Sequence, residues 1–274
     1  MPGDARPKKK TIRMIPQART PAHEQDPTER ACNFDEVNLG YLVEDAQLEA
    51  ERCLMCPEQP CVAGCPVGIA IPDFIQRITA RDYRGAYDVI TATNLLPAVC
   101  GRVCPQETQC EGSCTVGDTL EPVAIGRLER WVGDLAIRER WSNVPYIQPS
   151  GFKVGIVGSG PAGMACAADM AKAGCEVTVF EAFHALGGVL RYGIPEFRLP
   201  NQLIDDVVEK IRLLGGRFVT NFVVGKTATL EHLRGAGFAR VFVGSGAGLP
   251  RFLNVPGEHL LNVMSANEFL TRVN

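Results

Sequence analysis

Residues 154–163 read VGIVGSGPAG, a stretch in which a short apolar strand runs directly into a glycine turn. The turn matches G-x-G-x-x-G, opens a helical pattern, and is followed 23 residues after Gly158 by Glu181, at the end of a second Val-rich strand. A lone glycine fingerprint is weak evidence, but strand, turn, helix and acidic residue together form the context that a dinucleotide fold requires. The stretch therefore predicts a doubly wound α/β, Rossmann-like domain.

Each residue type in the fingerprint has a physical reason. Gly158 permits the tight turn, Gly160 lets the backbone approach a pyrophosphate, and Gly163 lets helix and strand pack closely. The helix N-terminus offers amide donors and a positive dipole to phosphates. Glu181 would bind ribose hydroxyls, which favours FAD or NAD and argues against the 2′-phosphate of NADPH at this site. A glycine turn without a ligand is the alternative.

The sequence around the fingerprint alternates between strand and helix patterns, which predicts a parallel sheet. Two further glycine-rich segments, residues 187–195 and 244–248, could line a cofactor or form plain tight turns, and we expect the first to be irregular. Residues 143–151 predict a linker in front of the domain. The predicted strands are 154–157, 176–180, 217–224 and 240–243, and the predicted helices are 158–173 and 201–214.

Eight of the eleven cysteines lie upstream in two groups, CLMCPEQPCVAGCP at residues 53–66 and CGRVCPQETQCEGSC at residues 100–114. Thiols this dense, in a chain without a secretory signal, are metal ligands more often than disulfides. A quartet ending in Cys-Pro favours iron–sulfur clusters, and eight thiolates suffice for two four-iron clusters. Zinc sites and disulfides are the alternatives, although these spacings fit zinc poorly. The two groups therefore predict an electron carrier.

The remaining sequence bounds this interpretation. Residues 31–142 predict a small helical domain around the cysteine loops. Its predicted helices cover residues 45–54, a stretch that begins at Pro72, residues 82–93 and residues 122–141. The Pro-rich residues 1–30 predict a flexible segment. A net charge of −3 gives no reason to expect nucleic acid. No apolar run approaches the roughly 20 residues that span a bilayer. The basic start, Met1–Lys10, lacks a following apolar segment, so we expect a cytoplasmic protein with reduced thiols.

Four stretches are specific enough to indicate a family, and the likeness runs from about residue 25 to the end. These stretches are Asn94–Pro105, Pro122–Arg130, Gly187–Pro200 and Ser265–Asn274. Through them the chain resembles the small (β) subunit of NADPH-dependent glutamate synthase. It looks equally like the relatives of that subunit, which are the large subunit of NADH-dependent ferredoxin:NADP oxidoreductase, sulfide dehydrogenase, and the N-terminal part of dihydropyrimidine dehydrogenase.

The resemblance implies an assignment of cluster ligands that spacing alone leaves open. One 4Fe-4S cluster would be held by Cys53, Cys56, Cys61 and Cys114. The other would be held by Cys65, Cys104, Cys110 and the carboxylate of Glu129. Cys100 would then be a bystander, with the alternative that Cys100 rather than Glu129 completes the second cluster.

The resemblance also makes the glycine fingerprint an FAD site. NADPH would pass a hydride to the flavin, whose electrons would leave singly through the two clusters to a larger redox subunit. For glutamate synthase, that subunit makes glutamate from glutamine and 2-oxoglutarate. The residues implied around the flavin are Gly158, Gly160, Pro161, Ala162, Gly163, Glu181, Gly188, Arg191, Val224, Gly244 and Gly246.

In this family NADPH binds a second dinucleotide domain inserted into the FAD domain, and the sequence reaches Asn274 about where that insertion should begin. We therefore expect an α+β multidomain chain, with a helical two-cluster domain and an FAD domain incomplete at its C-terminus. A separate chain would supply the NADPH domain, or this sequence would be a fragment. The functional alternatives are a bifurcating ferredoxin:NADP oxidoreductase or sulfide dehydrogenase subunit, and a non-catalytic cluster-bearing adaptor.

Overall fold

The computed structural model describes residues 12–141 and 147–274. The chain packs as two units, the first built mainly from residues up to 141 and the second mainly from residues after 147. Part of the predicted linker, residues 143–146, and the first part of the predicted flexible segment, residues 1–11, lie outside the described residues. Residues 147–152 have no regular secondary structure.

The first unit is mainly helical, but it is not all-helical as the sequence predicted. A small antiparallel ribbon pairs His23–Glu24 (β1) with Asn38–Gly40 (β2). Short 3-10 turns cover Ile12–Met14, Gln106–Thr108 and Thr115–Asp118. The helices are Pro27–Arg30 (α1), Val43–Ala50 (α2), Pro60–Ala63 (α3), Ile71–Thr79 (α4), Tyr83–Thr91 (α5), Pro97–Val103 (α6) and Ile125–Arg138 (α7).

The core of this unit is formed by the apolar faces of α4, α5 and α7. Apolar residues at helical spacing produce such faces, and Phe74, Ile78 and Leu128 are fully buried here. At one edge of the core Tyr83 meets Trp131 edge-to-face, with ring centroids 5.0 Å apart. This packing fixes α7, which carries Glu129, against the rest of the unit.

Helix α7 begins at Ile125 rather than at Pro122, where the sequence predicted its first turn. The backbone just before it is bonded to buried and half-buried side chains instead. The Pro122 carbonyl accepts hydrogen bonds from Arg19 and Arg52, and the Ala124 N–H donates to Glu49 Oε1 at 2.8 Å. Helix α2 likewise ends at Ala50 instead of Leu54, because tighter turn bonds follow it. The second deviation leaves Cys53 in irregular chain just after α2.

The described part of the N-terminal segment differs from the flexible segment that the sequence predicted. Ile15 and Thr20 are buried. The Thr20 N–H donates to Glu49 Oε2 at 2.7 Å, and the Thr20 carbonyl accepts from the Tyr41 hydroxyl, also at 2.7 Å. Residues 15–20 therefore form a strap that is bonded to α2 and its surroundings.

The second unit has a four-stranded parallel sheet in the order β5-β4-β3-β6, as the alternating pattern predicted. The chain moves outward from β3 through β4 to β5, and then crosses back to place β6 on the other side of β3. This reversal is the topological switch point at which α/β folds bind ligands, beyond the carboxyl ends of the strands. The strands are Lys153–Val157 (β3), Glu176–Phe180 (β4), Arg217–Val219 (β5) and Phe238–Val243 (β6).

Within residues 147–274, five helices precede, separate or follow these strands in sequence, and α10 buries Ile204, Val208 and Ile211 along one face. Two predictions for this unit were wrong. Strand β5 ends at Val219 rather than at residue 224, and Asn221 takes a left-handed φ of 55° just beyond it. The glycine-rich segment 187–195 contains a short helix. The helices are Pro161–Lys172 (α8), Val189–Tyr192 (α9), Asn201–Leu213 (α10), Leu230–Gly235 (α11) and Ala266–Val273 (α12).

Candidate cofactor sites

Four thiols from both cysteine groups line one apolar cleft in the first unit. Ile71, Ile75, Val116 and Ile125 are among its walls. Two of the thiols lie in the loop between α2 and α3, one lies on α3, and one immediately precedes the 3-10 turn at Thr115. The four are Cys53, Cys56, Cys61 and Cys114, the same four that the resemblance implies for one cluster.

The electrostatics of this cleft fit a cationic occupant. Burial, followed by the neighbouring Cys53 and Cys114, raises the pKa of the Cys61 thiol to about 12. Thiolates in apolar surroundings repel one another, and a coordinated metal removes that penalty because it deprotonates its thiol ligands outright. The donor set and its walls therefore fit an iron–sulfur cluster.

All eleven cysteines lie within the described residues, and the structure joins none of them in a disulfide. Across residues 12–141 and 147–274, no three His, Cys, Asp or Glu side chains converge as a single bound ion requires. A four-iron cluster distributes its thiolates over separate irons, so this finding does not bear on a cluster.

A second set of side chains gathers around the α6–α7 pair. Burial raises the pKa of the Cys110 thiol to about 12, with further contributions from Glu111, Glu129 and Cys65. Burial and then the charge of Cys104 raise the pKa of the Glu129 carboxyl to about 8. Cys65, Cys104, Cys110 and Glu129 are thus electrostatic neighbours, and they are the four residues that the resemblance implies for the other cluster.

Cys100 lies against this second set as well. It is hydrogen-bonded to Cys104, which lowers the pKa of Cys104 to about 7 and raises that of Cys100. Its Sγ is 3.7 Å from Asn94 Oδ1. Cys100 is therefore adjacent to the second set rather than remote from it, and its role as ligand or bystander stays a prediction.

Close packing between α6 and α7 brings these residues together. A Cβ at Gly101 on α6 would lie 2.5 Å from the Arg130 backbone nitrogen on α7, so only glycine allows this approach. Cys104 follows α6 directly, and Glu129 precedes Arg130 on α7. The separation of the two helices thus sets the distance between a thiol and a carboxylate of the second set.

Sequence reasoning missed the polar residues that position both sets. Arg52, immediately before Cys53, is fully buried and donates to Glu49 Oε1 at 2.8 Å. Its guanidinium also bonds the carbonyls of residues 16, 17, 121 and 122. Glu111, immediately after Cys110, accepts from the Gly126 N–H at 3.0 Å and pairs with Arg19 at 2.6 Å. No signal in the sequence distinguished these charged residues from solvated ones.

In the second unit, the fingerprint residues sit at the carboxyl end of β3, as predicted. Gly158 has φ 95°, and a Cβ there would lie 2.4 Å from the Gly244 carbonyl oxygen. A Cβ on Gly163 would lie 1.9 Å from the Gly158 carbonyl oxygen. At Gly160, by contrast, a Cβ would have no neighbour within 4 Å. Backbone packing thus requires two of the glycines, while the third faces open space beside Pro161 and Ala162 at the start of α8.

Glu181 is buried and already hydrogen-bonded to the turn. Its Oε2 accepts from the Ser159 N–H at 2.8 Å and from the Ser159 hydroxyl at 2.5 Å, and its Oε1 accepts from the Phe183 N–H at 2.9 Å. The Ser159 hydroxyl in turn accepts from the Gly187 N–H at 3.0 Å. A carboxylate has about four lone-pair sites, so capacity for a ribose hydroxyl remains. The observed bonds add a role that the sequence did not predict, since Glu181 joins three loops.

The other predicted flavin residues are distributed around this turn and beyond it. A Cβ on Gly188 would lie 2.7 Å from Gly160 Cα, so this glycine packs against the turn. Arg191 is engaged, with an ion pair to Asp205 and a 2.7 Å bond from its Nε to the Leu186 carbonyl. Val224 forms an isolated bridge with Ala228, and Gly246 lies in an exposed irregular stretch. The structure therefore brings Gly188 and Gly244 to the fingerprint and leaves the roles of the other three as predictions.

Comparison with known families agrees with this division of the chain. Residues 30–141 match a family described as dihydropyrimidine dehydrogenase domain II, 4Fe-4S cluster. Residues 152–273 match a family described as pyridine nucleotide-disulphide oxidoreductase. In the part of the chain that the structure describes, no helix is long and apolar enough to cross a membrane.

Among similar proteins, the small chain of NADPH glutamate synthase from Azospirillum brasilense is 36% identical over 90% of this chain and 51% of its own length. The PreT subunit of NAD-dependent dihydropyrimidine dehydrogenase from Escherichia coli K12 is 38% identical over 87% of this chain and 57% of its own. NADH glutamate synthase from Saccharomyces cerevisiae is 36% identical over 94% of this chain and 12% of its own. The chain thus spans about half the length of the two bacterial relatives.

These matches confirm the resemblance read from the sequence, and they assign a 4Fe-4S domain and an oxidoreductase domain in the order in which the two units occur. By both domain matches and by these similarities, the chain belongs to the family that includes the small chain of NADPH glutamate synthase and the PreT subunit of dihydropyrimidine dehydrogenase.

Proposed function

We propose that this chain is a flavin and iron–sulfur electron-transfer subunit that carries two 4Fe-4S clusters and part of an FAD site. One observation carries the proposal: Cys114, from the second cysteine group, lines the same apolar cleft as Cys53, Cys56 and Cys61 from the first. Partly buried thiols that two distant stretches of chain bring to one apolar cleft are costly for a fold unless they hold a metal centre.

In the proposed assignment, the second cluster is held by Cys65, Cys104, Cys110 and Glu129. The charges of Glu129 and Cys65 both raise the pKa of the Cys110 thiol, and this proximity supports the set. A carboxylate that is 6% exposed and lies next to a thiol carries a large desolvation cost. An iron ligand role would offset that cost, because the cation would stabilise the ionised form.

The flavin part of the proposal rests on the open space at Gly160 and the amides at the start of α8. There the pyrophosphate of FAD would meet backbone donors and the positive end of the helix. Glu181 would hold the turn through Ser159 and offer its remaining lone pairs to a ribose. When bound, FAD would accept a hydride from NADPH, and the clusters would pass single electrons onward. Because Glu181 argues against a 2′-phosphate here, NADPH would bind at another site.

We further propose that the electrons pass to a larger redox subunit, as the names of the small-chain and PreT relatives suggest for those proteins. A glutamate synthase large subunit is the first candidate. A ferredoxin-linked flavoprotein subunit is the second. Chains that co-purify with this protein under anaerobic conditions would discriminate between the two.

The cluster assignment is tested by anaerobic purification followed by iron and sulfide counts and electron paramagnetic resonance. We expect about eight irons per chain and two reducible signals. Cys114→Ser should remove the signal of the first cluster although Cys114 belongs to the second sequence group. Cys32→Ser is the matched control, because Cys32 is an exposed free thiol outside both sets. A Cys114→Ser protein with two intact clusters would contradict the assignment.

The flavin assignment is tested separately by the flavin content of the purified chain and by NADPH oxidation with an artificial acceptor. We expect bound flavin, and NADPH oxidation once an NADPH site is present, whether on this protein or on an added chain. Two clusters without any flavin, with or without an added chain that binds NADPH, would favour a cluster-bearing adaptor. Flavin retention together with NADPH oxidation by this chain alone would rule the adaptor out.

A further inference from the structure

Asn94 is a buried amide in the loop between α5 and α6, only 5% exposed. Its Nδ2 donates to Glu129 Oε1 at 2.6 Å, across the gap to α7. Its Oδ1 accepts from the Leu96 N–H at 2.9 Å and lies 3.7 Å from Cys100 Sγ. This one side chain therefore joins the start of α6, the Cys100 thiol and the carboxylate of the second set.

The hydrogen-bond network determines which way the Asn94 amide points. A backbone N–H such as that of Leu96 can only donate, so the atom facing it must be the amide oxygen. The amide nitrogen then faces Glu129, whose carboxylate accepts. Within the described residues, the structure records one hydrogen bond to the Glu129 carboxylate, and its donor is Asn94. Asn94 thus fixes the orientation of a buried acid that its own helix does not hold.

We propose that Asn94 is a positioning residue for the second cluster, holding one oxygen of Glu129 so that the carboxylate stays directed toward the thiols of Cys104 and Cys110. The inference rests on the proposed function, since it presumes that Glu129 is a ligand of that cluster. A donated hydrogen bond withdraws electron density from an anionic ligand, and hydrogen bonds to ligands tune cluster potentials. Asn94 should therefore raise the midpoint potential of the second cluster as well as orient its oxygen ligand.

The test is Asn94→Asp in the full chain, purified anaerobically, with both clusters followed by a redox titration monitored by electron paramagnetic resonance. The ionised aspartate keeps an acceptor for the Leu96 N–H and removes the amide donor to Glu129, so the titration is run at a pH above the range in which two facing carboxyls share a proton. We expect a lower midpoint potential and altered g-values for the second cluster, or its selective loss, while the first cluster keeps its signal. Asn38→Asp is the matched control. Its Oδ1 only accepts, from Gly40 and Arg130, so an aspartate preserves both bonds.

A double-mutant cycle with Glu129→Gln separates positioning from a general effect of charge. In the Glu129→Gln background, the new aspartate at position 94 faces an amide that can donate to it, so the pair re-forms with its roles exchanged. The shift caused by Asn94→Asp should then be much smaller than in the wild type, and non-additivity is the signature of direct contact. An equal shift in both backgrounds would overturn the proposal.

The remaining outcomes also decide the matter. Two wild-type clusters that do not respond to Asn94→Asp would overturn the positioning role and leave the proposed function standing. Loss of both clusters in Asn94→Asp would overturn it too, because Asn94 would then serve the fold of the whole unit. A wild-type chain with only one cluster signal would instead contradict the proposed function itself.

Discussion

Replacing Gly101 by alanine would test whether the close contact of α6 and α7 assembles the second set. The added Cβ would lie 2.5 Å from the Arg130 backbone nitrogen and 2.6 Å from the Gly126 carbonyl oxygen, whereas ordinary contacts begin at 3.4 Å. Both obstacles are backbone atoms, which no rotamer change can move aside. The two helices would have to separate by roughly an ångström at this point.

The energetic cost of Gly101→Ala follows from that overlap. Forcing one extra carbon into a packed contact costs about 1–3 kcal/mol. The gain in helix propensity from glycine to alanine, about 1 kcal/mol, offsets part of this. The larger effect should be on the site, since Cys104 follows one of the displaced helices and Glu129 lies on the other. No thiol of the first set lies on α6 or α7, so the first cluster should survive.

Urea unfolding followed by circular dichroism, together with spectra of both clusters, measures these effects. We expect a lower unfolding midpoint and a weakened or absent signal from the second cluster alone. Gly235→Ala, on α11 in the other unit, is the control, because a Cβ there has nothing within 4 Å. A Gly101→Ala protein with a wild-type midpoint and both cluster signals would refute the reasoning.

Three further outcomes are expected. Arg52→Met should destabilise the first unit by about 3–5 kcal/mol, because it leaves the Glu49 carboxylate buried without its cation; an unchanged urea midpoint would contradict this. Gly160→Ala should leave the thermal unfolding of the flavin-free protein unchanged, since the Cβ meets nothing, yet weaken FAD binding about 5- to 150-fold in a fluorescence titration. In the cluster-free protein, burial raises the pKa of Glu129 from 4.5 to about 8, so the folded state holds that proton more tightly than the unfolded state. Stability should therefore fall as pH rises from about 5 to 8, by up to about 1.4 kcal/mol per pH unit. Glu129→Gln should abolish this slope, and equal slopes in the two proteins would argue against it.

Much of the second unit could be predicted from the sequence, because its signals are local. The Val-rich run Glu176–Phe180 forms β4 with the predicted bounds. The turn at Gly158 and the helix after it follow from residue types whose conformational limits act within a few positions. The ends of β5 and α7 could not be predicted, because distant partners decide where a backbone N–H or carbonyl is bonded. Arg52 bonds the carbonyls of Glu121 and Pro122 from about 70 positions away.

The cofactor sites also combine features that have a local sequence signal with features that depend on tertiary packing. Cysteine density and the Cys-Pro steps predict iron–sulfur chemistry, but spacing alone cannot assign thiols to sets, since several groupings satisfy the same intervals. The burial of Glu129 and its bond to Asn94 depend on how α6 packs against α7, which has no local signal. Asn94 lies in a stretch that carries the family resemblance, and that was the only pointer to it.

The proposed assignment of thiols to clusters limits the distance between the two clusters. Cys61 and Cys65 are four residues apart in the sequence but belong to different sets. Cys110 and Cys114 are also four residues apart and also belong to different sets. Four residues of extended chain span at most about 14 Å, and a helical turn spans about 6 Å. Cys61 lies on α3, and the Cys65 N–H bonds back to the Val62 carbonyl at 3.1 Å, so the first link is close to the shorter limit. Two short covalent links therefore hold the two proposed clusters near each other whatever the rest of the unit does.

Each proposed set takes ligands from both cysteine groups, so neither set is complete until both groups have folded together. Cluster assembly and folding of this unit should therefore be one cooperative event.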